Sequence, residues 1–167
     1  MYPEMIKNDA YSKDYAAAYE ALSAIQHPDD NMRETMQYLR YQMGIDAFLR
    51  SNMKESIKWM TEVIDNEQQS SEYKTEAYFL RAESHYRLSQ YAACLEDLQR
   101  YEKQPNAASS HNKTTALYLK AYAFFNQQSL KQAESIFRQY INQANPAQTS
   151  YLDALNRLGD CLFHSRQ

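Results

Sequence analysis

Tyr91-Ala92-Ala93-Cys94-Leu95-Glu96-Asp97-Leu98-Gln99-Arg100-Tyr101 is the stretch that decides the fold. Its residues Tyr91, Cys94, Leu98 and Tyr101 fall on one face of an α-helix, with a small residue second in the series. The same figure recurs as Tyr15, Ala18, Leu22, Ile25, as Met53, Ser56, Met60, Val63, and as Leu130, Ala133, Phe137, Tyr140. The small residues at 18, 56, 94 and 133 are 38, 38 and 39 residues apart. A fixed period of this length marks stacked supersecondary units, not one core wound around itself. Each small residue is expected to be buried where its helix meets a partner. Stacks of this kind present extended surfaces for holding other molecules.

Working outward, each motif is preceded by a second helical pattern. These are Leu39, Met43, Ala47; Tyr78, Ala82, His85; and Leu117, Ala121, Phe124. Between the two patterns lie only short polar turns, Ser51-Asn52, Ser89-Gln90 and Gln128-Ser129, so each pair of helices is antiparallel. Longer links hold the breakers: Pro28 with Asp29 and Asp30, Ser70-Ser71, Pro105-Asn106, and Pro146 through Ser150. Helix N-caps are expected among Asp29, Asp30, Ser70, Ser71, Ser109, Ser110, Thr149 and Ser150, with Ser150 and Asp153 forming a weak capping box.

Composition narrows the chemistry. The chain has 167 residues, enough for one domain of about four helical hairpins, and only 2 Gly and 4 Pro, too few for a turn-rich sheet protein. Tyrosine is abundant, at 15 residues. Mean hydropathy is −0.79, and no apolar run approaches the ~20 residues of a membrane span. The net charge of −3, with Lys and Arg scattered, leaves no basic stripe for nucleic acid. Cys94 and Cys161 define neither a disulfide framework nor a zinc site, and Cys94 reads as a buried small residue. Cys161 and His164 share a helix face but lack further ligands, so no metal or cofactor is expected. His85 reads as a packed, hydrogen-bonded residue, and Glu83, Glu96 and Asp97 read as solvated helix faces. Gly44 and Gly159 fit small-residue slots where helices approach closely; they form no phosphate loop.

The run from Ala77 to Cys94, with Tyr78, Ala82, Tyr86, Tyr91 and Cys94 at their positions, resembles the tetratricopeptide repeat (TPR) family. The resemblance extends over nearly the whole chain from about Tyr11. It implies an all-α fold, a right-handed α-α superhelix of about seven to nine antiparallel-paired helices. It also implies a single domain over 1–167: a partial repeat 1–30, repeats 31–69, 70–108 and 109–147, and a partial repeat 148–167. Three departures stand out. The surplus over the family's 34 residues lies between repeats. Arg81 and Lys120 replace an apolar residue of helix A, and Ser51, Ser89 and Gln128 replace the glycine that opens the turn. The long links, Tyr-rich helices and final Ala154–Cys161 helix are similar to tandem TPR proteins of bacterial cell envelopes. That likeness implies a periplasmic or envelope setting, with a cytoplasmic one as the alternative.

In the family, first helices line the concave face. Carried over, this implies a groove of Tyr38, Tyr41, Phe48, Phe79, Glu83, Tyr86, Arg87, Tyr118, Tyr122, Phe125 and Asn126 for a protein or peptide ligand. Tyr and Phe suit recognition because they bury large area with little rotamer entropy. The family's carboxylate clamp is not expected, since its matching first-unit positions are Tyr41 and Ile45. The function so implied is a non-catalytic binding scaffold. The alternative is a cytosolic TPR regulator that senses a peptide and controls another domain. Tyr151, Leu152, Leu155, Leu158, Leu162 and Phe163 spread over more than one stripe, and Met1 to Asp9 is a poor helix A. Both ends therefore read as cut from a longer array, with self-association expected through the terminal helix.

Overall fold

The computed structural model describes residues 9–66 and 71–164, and within them the protein is a succession of eight α-helices. They are α1 (Asp9–Ser23), α2 (Asp30–Leu49), α3 (Met53–Asp65), α4 (Ser71–Arg87), α5 (Tyr91–Glu102), α6 (Lys113–Asn126), α7 (Leu130–Gln143) and α8 (Thr149–His164). Helices α2–α3, α4–α5 and α6–α7 form antiparallel hairpins; α2, α4, α6 and α8 are A-type, and α1, α3, α5 and α7 are B-type. Neighbours in sequence are neighbours in space throughout. Successive A helices also touch, α2 with α4 and α4 with α6, whereas successive B helices make no comparable contact. The stack therefore curves with its A helices on the inner side.

Local sequence explains the boundaries. Asp29 caps α2 by accepting the Met32 amide at 2.8 Å, as expected. Asn52 caps α3 reciprocally: it accepts the Glu55 amide and donates 2.7 Å to the Glu55 carboxylate. Ser70 lies outside the described residues. The expected Ser150–Asp153 box does not form, because Ser150 accepts the Tyr140 hydroxyl and Asp153 accepts two others. Nor does Ser110 cap α6, where Asn112 holds the cap position. Instead Ser110 and Asn112 both donate to Glu76 of α4, at 2.8 and 2.6 Å, which pins the long α5–α6 link against the preceding hairpin.

The three tight turns share one geometry. Ser51, Ser89 and Gln128 have φ of 62°, 58° and 61°, the left-handed region that favours glycine. In each, the next residue's amide reaches back to the last helical turn: Asn52 to Ala47, Gln90 to His85 and Ser129 to Phe124, all at 2.9 Å. The hairpin imposes this conformation even where the sequence lacks the glycine. Left-handed backbone costs an L-residue about 1–2 kcal/mol, and glycine costs about 0.5–1 kcal/mol in unfolded-state freedom. Ser51→Gly, Ser89→Gly and Gln128→Gly should therefore each stabilise by roughly 0.5–1 kcal/mol. Urea unfolding of the triple variant checks this, and a midpoint no higher than the parent's would refute it.

Of the four small residues expected at helix contacts, Ser56, Cys94 and Ala133 are fully buried, and Ser84 of the next A helix donates to Ser56 at 3.3 Å. Ala18 is exposed, because no described helix packs on that side of α1. The glycines divide in the same way. A Cβ on Gly44 would lie 2.1 Å from Met60 Cε and 3.3 Å from Trp59 Cβ, so α3 sits directly on it. Gly159 meets nothing within 4 Å, and the close approach expected there is absent among the described residues.

One departure from the expected core is chemical. Arg81, in the slot of an apolar residue, is 8% exposed and donates from Nε and Nη2 to both oxygens of Asp97, each at 2.7 Å. Its Nη1 donates to Thr61 at 2.9 Å, so the group ties α3, α4 and α5 together. Asp97, read from sequence as a solvated position, is 3% exposed. His85 lies beside it, its Nε2 at 3.8 Å from the carboxylate and its Nδ1 2.7 Å from the Gln90 side-chain oxygen. Lys120, in the corresponding slot of α6, pairs instead with Glu102 of the preceding B helix at 2.7 Å. Burial pushes the Cys94 thiol up to about 12, and the Cys161 thiol is also raised by burial, so both behave as apolar packing residues.

Candidate functional site

The inner face is built from one recurring position. Phe48, Tyr86, Phe125 and Phe163 occupy the last turn of α2, α4, α6 and α8 at spacings of 38, 39 and 38 residues. The first three are half-buried, each engaged by the next A helix. The Arg87 guanidinium lies 4.1 Å from the Phe48 ring centre, Asn126 donates to the Tyr86 hydroxyl at 3.0 Å, and Arg157 lies 5.7 Å from the Phe125 ring centre. These contacts join helices that share no hairpin, which places Phe48, Tyr86, Arg87, Phe125 and Asn126 on the inner side.

Two clusters extend this strip. Tyr38 and Tyr41 of α2 meet Tyr73 of α4 at centroid distances of 6.4 and 5.2 Å, and Tyr15 of α1 stands 6.4 Å from Tyr38. Tyr38 is 37% exposed, so this four-ring patch is open to solvent. At the other end Tyr118 and Tyr122 meet edge to face with ring centres 4.9 Å apart, and both donate to Asp153 of α8. Arg157 donates to the Tyr122 hydroxyl at 3.3 Å and to Asp160 at 2.8 Å. Burial and the bond to Asp153 raise the pKa of both tyrosines, so they stay neutral donors. Burial pushes the Asp153 carboxyl up, but the two hydroxyls and the Arg157 charge outweigh it and hold it below its usual value.

Of the residues assigned to the groove, Phe79 does not line it. It is 5% exposed and packs on Tyr101 at 6.0 Å, in the core cluster that also holds Ala107 of the long link. Glu83 is not a ligand contact standing free: it accepts from Arg87 at 2.7 Å. Sequence reasoning missed Tyr15 and Tyr73 beside the groove and Asp153 and Arg157 across from it. The last two carried a sequence signal, a carboxylate and an arginine four apart on one helix face, which does not by itself name the rings they meet.

Comparison with known proteins rests on structure. No protein-family model matches the chain, and no curated protein matches it in sequence. Solved structures do match. The Hsp90 co-chaperone Cns1 from Saccharomyces cerevisiae (delta69) superposes with a TM-score of 0.69 at 16% identity over 80% of this chain and 41% of its own. The first TPR domain of human RPAP3, an NMR structure, superposes with a TM-score of 0.63 at 18% identity over 78% of this chain and 95% of its own. The fold is a TPR-like α-solenoid. At these identities the likeness establishes the fold, and the chain spans less than half the length of the Cns1 chain it matches. Within the described residues no helix is long and apolar enough to cross a membrane.

Proposed function

We propose that this TPR-like solenoid is a non-catalytic scaffold that holds a protein segment along its inner face. The observation that carries the reading is the strip of half-exposed rings, one per A helix at Phe48, Tyr86 and Phe125, flanked by Tyr38, Tyr41, Tyr118 and Tyr122. Rings held in place by neighbours offer contact area without a further ordering cost. The solved structures of this fold support a protein as the partner, one being an Hsp90 co-chaperone.

The charges narrow the ligand. Arg50, Arg87 and Arg157 are each paired with a carboxylate of their own helix, Asp46 at 3.1 Å, Glu83 at 2.7 Å and Asp160 at 2.8 Å. A ligand carboxylate would have to displace those partners. The segment favoured is accordingly apolar and aromatic, with few acidic residues. The likeness to envelope TPR arrays extends the proposal to a bacterial envelope scaffold, against the alternative of a cytosolic sensor. The full gene separates them: a secretion leader or lipoprotein signal favours the first, and a DNA-binding or catalytic domain the second.

Peptide-library selection on the purified domain, followed by titration of the selected sequences, tests the groove. Tyr86→Ala and Phe125→Ala should each weaken binding by ~10-fold or more, and Lys131→Ala on the outer helix α7 should not. Equal loss from Lys131→Ala, or selection dominated by acidic tails, would overturn the reading.

A further inference from the structure

The two ends of the described stack carry complementary halves of one interface. On α8, Leu152, Leu155 and Gly159 stand in the register of Thr75, Tyr78 and Ala82 on α4. In α4 those positions are 1%, 8% and 0% exposed, because they lie within the packed hairpin. In α8, Leu152 is 61% exposed, Leu155 is 40% exposed, and Gly159 has nothing within 4 Å of a Cβ position. This is an A-type face without its B helix among the described residues.

At the other end, Ala18 and Ile25 stand in the register of Cys94 and Tyr101. Cys94 and Tyr101 are 0% and 2% exposed, whereas Ala18 is exposed and Ile25 is 38% exposed. This is a B-type face without its A helix. Within one hairpin, Met60 and Trp59 of α3 close on Gly44, the register partner of Gly159, and Leu22 and Ala21 hold the matching positions on α1.

We infer that the occupant of the α8 face is α1 of a second copy of this chain, packed as a B helix packs on its own A helix. The register argues for this partner over a symmetric α8–α8 pair. Broad contact in the molecule is always A against B, while A helices meet one another only along the narrow inner strip. Joining unlike faces is a heterologous contact, so it adds copies head to tail and continues the solenoid and its inner strip from one chain into the next. The inference goes beyond the binding reading and does not depend on it.

Sedimentation velocity of the ligand-free protein over a range of concentrations tests it. The parent should associate progressively past the dimer. Leu155→Glu on the A-type face and Ala18→Glu on the B-type face should each weaken association more than ~30-fold, since each puts a charge in the centre of a close contact. Gly159→Glu serves as a second A-face variant. All three sites are exposed, so circular dichroism and melting of the monomers should match the parent's. The deciding sample is an equimolar mixture of Leu155→Glu with Ala18→Glu. Each chain keeps one live face, and the mixture should form a complex of one of each and stop there. A parent that stays strictly monomeric, association that survives Ala18→Glu, or a mixture that remains monomeric would overturn the inference. No peptide is present, so failure here leaves the groove reading standing.

Discussion

Replacing Asp97 with alanine is expected to lower the unfolding free energy by about 3–5 kcal/mol. The cost does not measure the strength of the ion pair. It reflects what remains, an Arg81 guanidinium held 8% exposed with the Thr61 hydroxyl and the face of Tyr78 in place of a carboxylate. Arg81→Met alone should cost less, because Asp97 keeps Arg100 at 3.6 Å and His85 at 3.8 Å. The double variant Arg81→Met, Asp97→Leu should recover most of the stability, since apolar groups of similar volume replace a buried pair at little net cost. With Asp97→Leu added as the matching single variant, urea unfolding closes the cycle. If Asp97→Ala lay within about 0.5 kcal/mol of the parent, the pair would be no more than a surface contact, contrary to its burial.

Phe137→Ala should cost about 3–5 kcal/mol, with an unusual form to the loss. Phe137 is fully buried, and its ring lies 5.4 Å from Tyr122 and 6.4 Å from Phe125, two of the inner-face rings of α6. Stability in a stack is close to a sum of units and nearest-neighbour contacts. The cavity should therefore release α6, α7 and α8 before α2 to α5, and thermal melting should split into two steps. Amide exchange should show protection lost in α6 to α8 and kept in α4. The same cavity frees Tyr122 and Phe125, so peptide affinity should fall although Phe137 never meets solvent. A single sharp transition with uniform loss of protection would contradict this account.

The hairpins were legible because their packing is periodic. Met60, Leu98 and Phe137 recur at one position, and all three are buried. What escaped were properties that depend on a neighbour. Ala18 carries the same local pattern as Cys94, but pattern cannot say whether a helix lies across from it. Phe79 sits in the inner-face register, yet the ring lies in a cluster that includes the long link, whose path the motif does not encode. Asp97 looked solvated because carboxylates usually are. The clue was Arg81 sixteen residues earlier: two unlike charges at facing positions of one hairpin form a pair more readily than two solvated faces. The inner-face rings could be listed from their register. Their polar partners Asp153 and Arg157 come from the next unit; their spacing of four was in the sequence, but which rings they meet was visible only in three dimensions.

That one facing position is filled differently in every hairpin: Trp59 in the first, Asp97 in the second and Ile136 in the third. Arrays of near-identical units are prone to exchange parts, one copy's second helix closing on another's first. Here such a swap across unlike hairpins would set Asp97 against Met43, or Ile136 against Arg81, and either strands a charge in the interior. The residues that make this chain a poor fit to a consensus serve as address labels. They confine each hairpin to its own two halves while it folds, and a variant levelled to the average repeat would melt higher and misassemble more often.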